Sequence, residues 1–313
     1  MTENRYASHL KKWVFATKLN SWPKILLPAL LGQSIGFISG GSLNGPGLIA
    51  GLGFSFFGLI YIVLLNDFGD QFVDRVKRKM FPRQCSPKTI PDRILPASAL
   101  LRGGQLMGGL ALAWSLSGLL IDRPWLPVLA IGGLFIFFCY TFPPLKLNYR
   151  GGGELLEGLG VGFYLPYLNI YCQTGKLWHP DYLLLAGFVV LSLSSALASG
   201  LSDEESDLTG GKKTFTTMFG NPMVRNVVVA CLLVTPVVWI WSLSKWPTVP
   251  VWFCLVPGLL IWAMVVPIKK LSAFAGTRQF KEQKQFKNLL HLGIWGSLVV
   301  WIFEVTGYLY FVV

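Results

Sequence analysis

An apolar segment at residues 47–65 ends directly in the sequence Asn66-Asp67-Phe68-Gly69-Asp70-Gln71-Phe72-Val73-Asp74. A second apolar segment, at residues 181–200, is closely followed by Asp203-Glu204-Glu205-Ser206-Asp207. These two acidic clusters hold seven of the 15 acidic residues of the chain. Carboxylates this close repel one another unless a cation lies between them, and Mg²⁺ prefers hard oxygen ligands. The sequence therefore predicts a divalent-metal site where two apolar segments end.

The composition indicates a membrane protein. Apolar residues make up 53% of the chain and charged residues only 13%, which is about half the charged fraction of a soluble domain. Each apolar stretch is long enough to cross a hydrocarbon core of about 30 Å. We therefore predict an all-α fold, a polytopic membrane bundle of about nine transmembrane helices. The predicted spans are 19–40, 47–65, 99–121, 124–142, 153–173, 181–200, 224–244, 248–268 and 289–312.

The basic residues predict the orientation of these spans. With nine spans, 24 of the 27 Lys and Arg residues lie on the same side as the N-terminus, and only Arg123, Lys176 and Lys245 lie opposite. Cytoplasmic loops carry such an excess of Lys and Arg. The chain is thus expected to be an integral protein of the cell inner or plasma membrane, with its N-terminus and both acidic clusters cytoplasmic. Topology and anionic lipid explain the net charge of +12, so no nucleic-acid partner is expected.

The two clusters also suggest how the chain is organised. They lie about 135 residues apart, after the second and sixth spans, and basic residues follow each of them. This spacing suggests an internal pseudo-repeat of spans 1–4 and 5–8. No linker separates the halves, and we predict a single transmembrane domain over residues 1–313. The histidines and cysteines are scattered without metal-binding spacing.

Helical spacing places the polar residues of each cluster on one face. Asn66, Asp67, Asp70 and Asp74 fall within an arc of about 100°. In the second cluster Asp203 and Asp207 are four residues apart, and Gly211 and Thr214 continue that face. Since Mg²⁺ binds one or two carboxylates together with phosphate oxygens, two such faces with lysines beside them describe a receptor for a magnesium diphosphate. The alternatives are solvated acidic helix ends and the ion site of a cation-coupled transporter, although such ion sites lie near the bilayer midplane.

A third segment lies at the end of the fourth span, Tyr140-Thr-Phe-Pro-Pro-Leu-Lys-Leu-Asn-Tyr-Arg-Gly-Gly-Gly-Glu154. Pro143-Pro144 stops the helix. Lys146 and Arg150 then face the same cytoplasmic side as the carboxylates. Basic residues there would stabilise the charge that builds on a departing diphosphate.

Together, Asn-Asp-x-x-Asp-x-x-x-Asp at 66–74 and Asp-x-x-x-Asp-x-x-x-Gly-Lys-x-Thr at 203–214 resemble the UbiA superfamily of intramembrane prenyltransferases. The resemblance implies that an isoprenoid diphosphate is ionised and that its carbocation alkylates an acceptor. It implies Mg²⁺ as cofactor, with Asn66, Asp67, Asp70, Asp74, Asp203 and Asp207 as ligands. It also implies diphosphate contacts from Asn66, Tyr140, Lys146, Arg150 and Lys212. The catalytic set it implies is Asp70, Asp74, Asp203, Asp207, Lys146 and Tyr140.

Residues 140–220 look most like the branch that prenylates 1,4-dihydroxy-2-naphthoate for menaquinone. This finer resemblance rests on Pro143 to Leu147, Tyr149-Arg150-Gly151, Gly153-Glu154-Leu155 and Gln173-Thr174-Gly175. The expected partners are an isoprenoid diphosphate, a small aromatic acceptor and the lipid bilayer. Another acceptor (a chlorophyll-like macrocycle or a lipid) and cyclisation of the prenyl chain remain alternatives. An aromatic pocket would face the carbocation; its candidate lining is Phe135, Phe138, Tyr140, Phe163, Tyr164 and Tyr167.

Overall fold

The computed structural model describes residues 8–244 and 252–312, with side chains up to residue 307. In these residues the chain is helical, and the pairing of Arg150 with Lys213 is the single β-bridge found there. The helices before the middle of the chain are α1 His9–Ala16, α2 Pro23–Gly40, α3 Gly45–Gly69, α4 Gln71–Met80, α5 Ala97–Ser115, α6 Leu126–Thr141 and α7 Gly153–Leu159. Those after it are α8 Leu165–Thr174, α9 Leu184–Leu201, α10 Glu204–Thr209, α11 Phe215–Phe219, α12 Asn221–Leu243, α13 Trp252–Ser272 and α14 Phe280–Val312.

Each predicted span coincides with helix in the described residues, which confirms an all-α membrane fold. Five helical segments there are long and apolar enough to cross a membrane: Gly45–Gly69, Pro180–Leu201, Asn221–Leu243, Trp252–Ser272 and Phe280–Gly307. The helix α6 is apolar but shorter, and the segment from α7 to α8 is interrupted by a π-turn at Gly160–Tyr164. The count of nine spans therefore stays a prediction. Lys245, which was used in that count, lies outside the described residues.

The helices pack closely where small residues meet a neighbouring backbone. A Cβ added at Gly32 of α2 would come within 2.3 Å of the Pro166 carbonyl oxygen of α8. One added at Gly47 of α3 would come within 2.2 Å of the Cys172 carbonyl oxygen. Glycines allow transmembrane helices to approach in this way. Helix α8 is thus held against both α2 and α3.

The two acidic clusters lie at one end of this bundle because of how the helices are joined. Asp70 lies between α3 and α4, and Asp203 lies between α9 and α10. Helix α4 packs against α10. The loop between α6 and α7 reaches the same end, where the backbone N–H of Lys213 donates to the Tyr149 carbonyl at 3.2 Å. The single domain and the pseudo-repeat remain predictions.

Candidate functional site

A cavity of about 420 Å³ lies between the two acidic clusters and extends into the bundle. Residues from both clusters line it, as does the segment that follows α6. The polar and charged lining residues are Lys18, Ser21, Lys24, Ser55, Asn66, Asp70, Tyr140, Asn148, Glu154, Glu157, Tyr164, Ser199, Asp203, Asp207, Lys212 and Thr214. Segments far apart in the sequence therefore meet at one site.

The first acidic cluster is divided between three environments. Asn66 and Asp70 line the cavity, but Asp67 and Asp74 do not. Asp67 is buried, pairs with Lys18, and accepts a hydrogen bond from Thr89 Oγ1 at 2.7 Å. Asp74 accepts from Lys88 Nζ at 2.5 Å. The four side chains therefore do not share the cavity, because Lys18 and Thr89 hold Asp67 and Lys88 holds Asp74.

Lys212 joins the two clusters. Its Nζ lies 3.3 and 3.2 Å from the two carboxylate oxygens of Asp70. Gly211 has a positive φ of 69° that turns the chain after α10, and the Lys212 N–H donates to the Asp207 carbonyl oxygen at 2.8 Å. Burial lowers the pKa of Lys212, but Asp70 and Asp207 raise it by more than burial lowers it, so the side chain stays cationic. The net direction is a raised pKa.

The second cluster has two carboxyl groups with opposite pKa shifts. Burial raises the pKa of Asp203, but Lys77, Lys287 and Lys88 lower it to well below its usual range. Lys77 donates to Asp203 and also to the Ser202 carbonyl oxygen at 3.2 Å. The pKa of Asp207 is instead raised to about 8. Burial is the largest cause, repulsion from Asp203 and Asp70 raises the pKa further, and the attraction of Lys212 offsets only part of this rise. One carboxyl is thus ionised while its neighbour retains a proton near neutral pH.

The segment from Tyr140 to Glu154 contributes some of the site residues that the sequence predicted and omits others. Tyr140 lines the cavity, as does Asn148, whose Nδ2 donates to Asp70 Oδ1 at 3.2 Å. Lys146 and Arg150 do not line it. The Lys146 ammonium lies 3.8 Å from the centre of the Tyr149 ring, and Arg150 is exposed. The basic group beside Asp70 is therefore Lys212.

The inner part of the cavity is apolar. It is lined by side chains of α3, α6 and the π-turn, including Phe54, Leu59, Ile62, Leu134, Phe137 and Val161. Of the six predicted aromatic lining residues, Tyr140 and Tyr164 line the cavity. Phe135 and Phe138 lie on the outside of α6 with 60% and 41% of their surfaces exposed. Phe163 and Tyr167 stack on each other away from the cavity.

Several charged residues of the site were missed by the sequence reasoning. Lys18 and Lys24 line the cavity, and Lys24 pairs with Glu157. Lys77 and Lys88 hold Asp203 and Asp74. In the sequence these lysines look like topology charges on the cytoplasmic side, and spacing gave no signal to separate them. Asn148 and Glu154 lie inside a quoted motif, which was the available signal.

The described residues contain no group of three His, Cys, Asp or Glu side chains close enough to hold a metal ion by themselves. Each cavity carboxylate contacts or faces a lysine instead. Any metal would therefore depend on ligand oxygens in addition to those of the protein.

Residues 25–290 match the UbiA prenyltransferase family. A 1,4-dihydroxy-2-naphthoate octaprenyltransferase of Bacillus subtilis (strain 168) is 27% identical over 110 residues, covering 35% of this chain and 35% of that protein. A chloroplastic chlorophyll synthase of Avena sativa is 25% identical over 177 residues, covering 56% of this chain and 45% of that protein. The match thus spans between a third and a half of the length of these two relatives.

A solved structure has the same fold. It is a UbiA homolog from Archaeoglobus fulgidus bound to DMAPP and Mg²⁺, with a TM-score of 0.68 and 16% identity, covering 95% of this chain and 99% of that one. The family match covers well over half of the present chain. The chain therefore belongs to the UbiA prenyltransferase family and is an integral membrane protein.

Proposed function

We propose that the protein transfers a prenyl group from an isoprenoid diphosphate to an aromatic quinone precursor in the membrane, with Mg²⁺ as cofactor. One observation carries this proposal: a single cavity has carboxylates and lysines at one end and an apolar interior at the other. A prenyl diphosphate has the same division between a charged head and an apolar tail. The orientation with this charged end towards the cytoplasm is part of the proposal, and it rests on the distribution of Lys and Arg.

The residues at the charged end fit Mg²⁺ that arrives with a diphosphate. Asn66, Asp70, Asp203 and Asp207 supply hard oxygen ligands from two opposed segments. Mg²⁺ keeps several waters and takes one or two carboxylates together with phosphate oxygens, so a complete protein cage is unnecessary. Asp67 and Asp74 do not line the cavity and pair with Lys18 and Lys88, so they belong to the support of the site in this proposal. When bound, Mg²⁺ would offset the negative charge of the leaving diphosphate.

The residues of the chain would assist the two bond changes. In the first, the bond between the prenyl carbon and the diphosphate oxygen breaks, and the electron pair leaves with the diphosphate. Lys212, held between Asp70 and the Tyr149 ring, provides a fixed positive charge for that group. In the second, an electron-rich acceptor carbon bonds to the prenyl carbocation and then loses its proton. The Tyr140 ring lies at the boundary of the charged and apolar regions, where it can stabilise the cation.

The acceptor in this proposal is 1,4-dihydroxy-2-naphthoate. Support comes from the motif resemblance between Tyr140 and Gly175 and from the similarity to the Bacillus relative. A larger macrocyclic acceptor is the second candidate, because the similarity to the chlorophyll synthase extends over more of the chain.

The test is turnover by the purified protein in lipid nanodiscs with labelled geranylgeranyl diphosphate, Mg²⁺ and a panel of acceptors. The panel contains 1,4-dihydroxy-2-naphthoate, 4-hydroxybenzoate and a chlorophyllide, and products are identified by mass. We expect Mg²⁺-dependent release of diphosphate together with a prenylated naphthoate. Absence of release with every acceptor would refute the transferase, whereas release without any acceptor would indicate a cyclase.

Asp70→Ala and Asp207→Ala test the site itself. Each removes a cavity carboxylate and is expected to lower turnover at least about a hundredfold, which is the scale of losing a major electrostatic contribution. Glu205→Ala is the matched control, since Glu205 belongs to the second cluster but does not line the cavity. Near-normal turnover by either Asp variant would mean that the site is placed wrongly.

A further inference from the structure

The apolar part of the cavity follows one face of α3. Going inward from the acidic end, the lining residues of α3 are Asp70, Asn66, Ile62 and Val63, Gly58 and Leu59, and finally Phe54 and Ser55. They recur at each helical turn. With a rise of 1.5 Å per residue, Ser55 lies about 22 Å from Asp70 along the helix. The cavity therefore has a measurable depth.

The inner end of the cavity is walled by two aromatic rings. A Cβ added at Gly133 of α6 would lie 3.2 Å from Tyr164 Cε1 and 3.6 Å from Phe54 Cζ, so both rings pack against that glycine. The Tyr164 hydroxyl donates to the Leu129 carbonyl oxygen at 2.7 Å. This hydrogen bond fixes the ring across the inner end.

A buried amide network lies directly behind these rings. Asn169 Nδ2 donates to Ser55 Oγ at 3.1 Å, and Gln33 Nε2 donates to Asn169 Oδ1 at 2.7 Å. Gln173 Nε2 then donates to Gln33 Oε1 at 2.6 Å. Opening the cavity further would leave these buried amides unpaired, which is unfavourable. The inner end is closed by paired polar groups that tie α2, α3 and α8 together.

We propose that this closed end restricts the part of the prenyl tail held in the cavity to about three isoprene units. Each unit adds four backbone carbons, which extend the chain by roughly 5 Å at ordinary bond lengths. The diphosphate takes the outermost turn of the depth of about 22 Å, from Asp70 to Asn66, and the remaining length of about 16 Å accommodates about three units. This inference rests on the proposed function, because it takes the charged end of the cavity as the site of the diphosphate.

Gly58 marks the position of the third unit. It lines the cavity about 18 Å from Asp70 and about 12 Å from Asn66, and a Cβ added there meets no atom within 4 Å. Helical side chains lean towards the N-terminus of their helix, so a leucine at this position would fill the space between Gly58 and Ser55. Gly58→Leu is therefore expected to remove room for the third unit and to leave room for two.

Gly109→Leu is the matched control. Gly109 is exposed on α5, does not line the cavity, and also has no atom within 4 Å of an added Cβ. It receives the same side chain in a helix of the same membrane domain. Any general effect of the added leucine would appear in both variants.

The experiment measures binding of non-reactive prenyl thiodiphosphates with two to six units to the full chain in nanodiscs containing Mg²⁺. For the unmodified protein, affinity should rise with each unit up to three and then stay level, since further carbons gain no buried surface in the cavity. Gly58→Leu should bind the three-unit compound at least about tenfold more weakly and the two-unit compound unchanged. Gly109→Leu should match the unmodified protein.

Two results would overturn the inference. One is affinity that continues to rise beyond three units, and the other is a Gly58→Leu profile identical to that of the control. Both leave the proposed transferase intact, because binding of any prenyl thiodiphosphate would still support it. Failure of every compound to bind the unmodified protein would instead refute the proposed function.

Discussion

Glu204 and Glu205 are neighbours in the second acidic cluster, and we predict that their removal has very different effects on stability. Glu204 is the first residue of α10; its side chain is buried and accepts hydrogen bonds from Asn221 Nδ2 at 2.9 Å, Thr277 Oγ1 at 2.9 Å and Gln283 Nε2 at 3.0 Å. Glu205 is partly exposed, and its side chain has no comparable set of hydrogen bonds among the described residues. The carboxylate of Glu204 therefore joins α10 to α12, α14 and the loop before α14.

The magnitude follows from the groups that would be left unpaired in Glu204→Ala. Gln283 Nε2 keeps a partner, because it also donates to the Gly276 carbonyl oxygen at 3.0 Å. Asn221 Nδ2 and Thr277 Oγ1 lose the carboxylate, at about 1–3 kcal/mol each. Release of a buried charge offsets part of this loss, so we expect destabilisation of about 2–4 kcal/mol. Glu205→Ala should stay within about 0.5 kcal/mol.

The assay is thermal unfolding of the three proteins in the same detergent, followed by tryptophan fluorescence at one heating rate. At roughly 2 °C per kcal/mol for a chain of this size, Glu204→Ala should melt about 4–8 °C lower and Glu205→Ala within about 1 °C of the unmodified protein. Equal melting temperatures for the two variants would refute the reasoning, because they would show that the hydrogen bonds to Glu204 contribute nothing.

Two further predictions concern the charged end of the cavity. Lys212→Ala should lower turnover at least about a hundredfold and Lys146→Ala less than about tenfold. The reason is that Lys212 contacts Asp70, whereas Lys146 lies over the Tyr149 ring outside the cavity. A larger loss in Lys146→Ala than in Lys212→Ala would favour the assignment from the sequence motif over that from the structure. The pKa of Asp207 is raised to about 8, so this carboxyl must lose a proton before it can bind a metal. Mg²⁺-dependent binding of a prenyl thiodiphosphate should therefore strengthen as the pH rises from about 6.5 to about 8, by up to about tenfold per pH unit. Asp207→Asn should flatten this pH profile, and an unchanged slope in that variant would assign the titration to another group.

The chemistry of the ends of the spans was readable from the sequence. Carboxylates are rare in an apolar chain, and their positions after residues 65 and 200 pointed to one side of the membrane. The apolar stretches likewise predicted the helices. Within a bilayer, only helices and closed barrels can hydrogen-bond all of their backbone groups. Asn66, Asp70, Asp203, Asp207, Lys212 and Tyr140 were all predicted as site residues, and all line one cavity.

The tertiary structure decided which charges face that cavity. Helical spacing gives an angle around one axis, and it does not show that Asp67 and Asp74 meet lysines from other segments. Lys18, Lys77 and Lys88 are indistinguishable in sequence from basic residues that set topology, yet they pair with Asp67, Asp203 and Asp74. Glu204 and Glu205 are chemically identical neighbours, and only the packing of α12 and α14 around one of them separates their roles. Sequence alone predicted that the two acidic segments end apolar helices on the same side of a membrane. The partners of each carboxylate and the depth of the cavity beneath them depend on contacts between distant helices, and local spacing carries no information about those contacts.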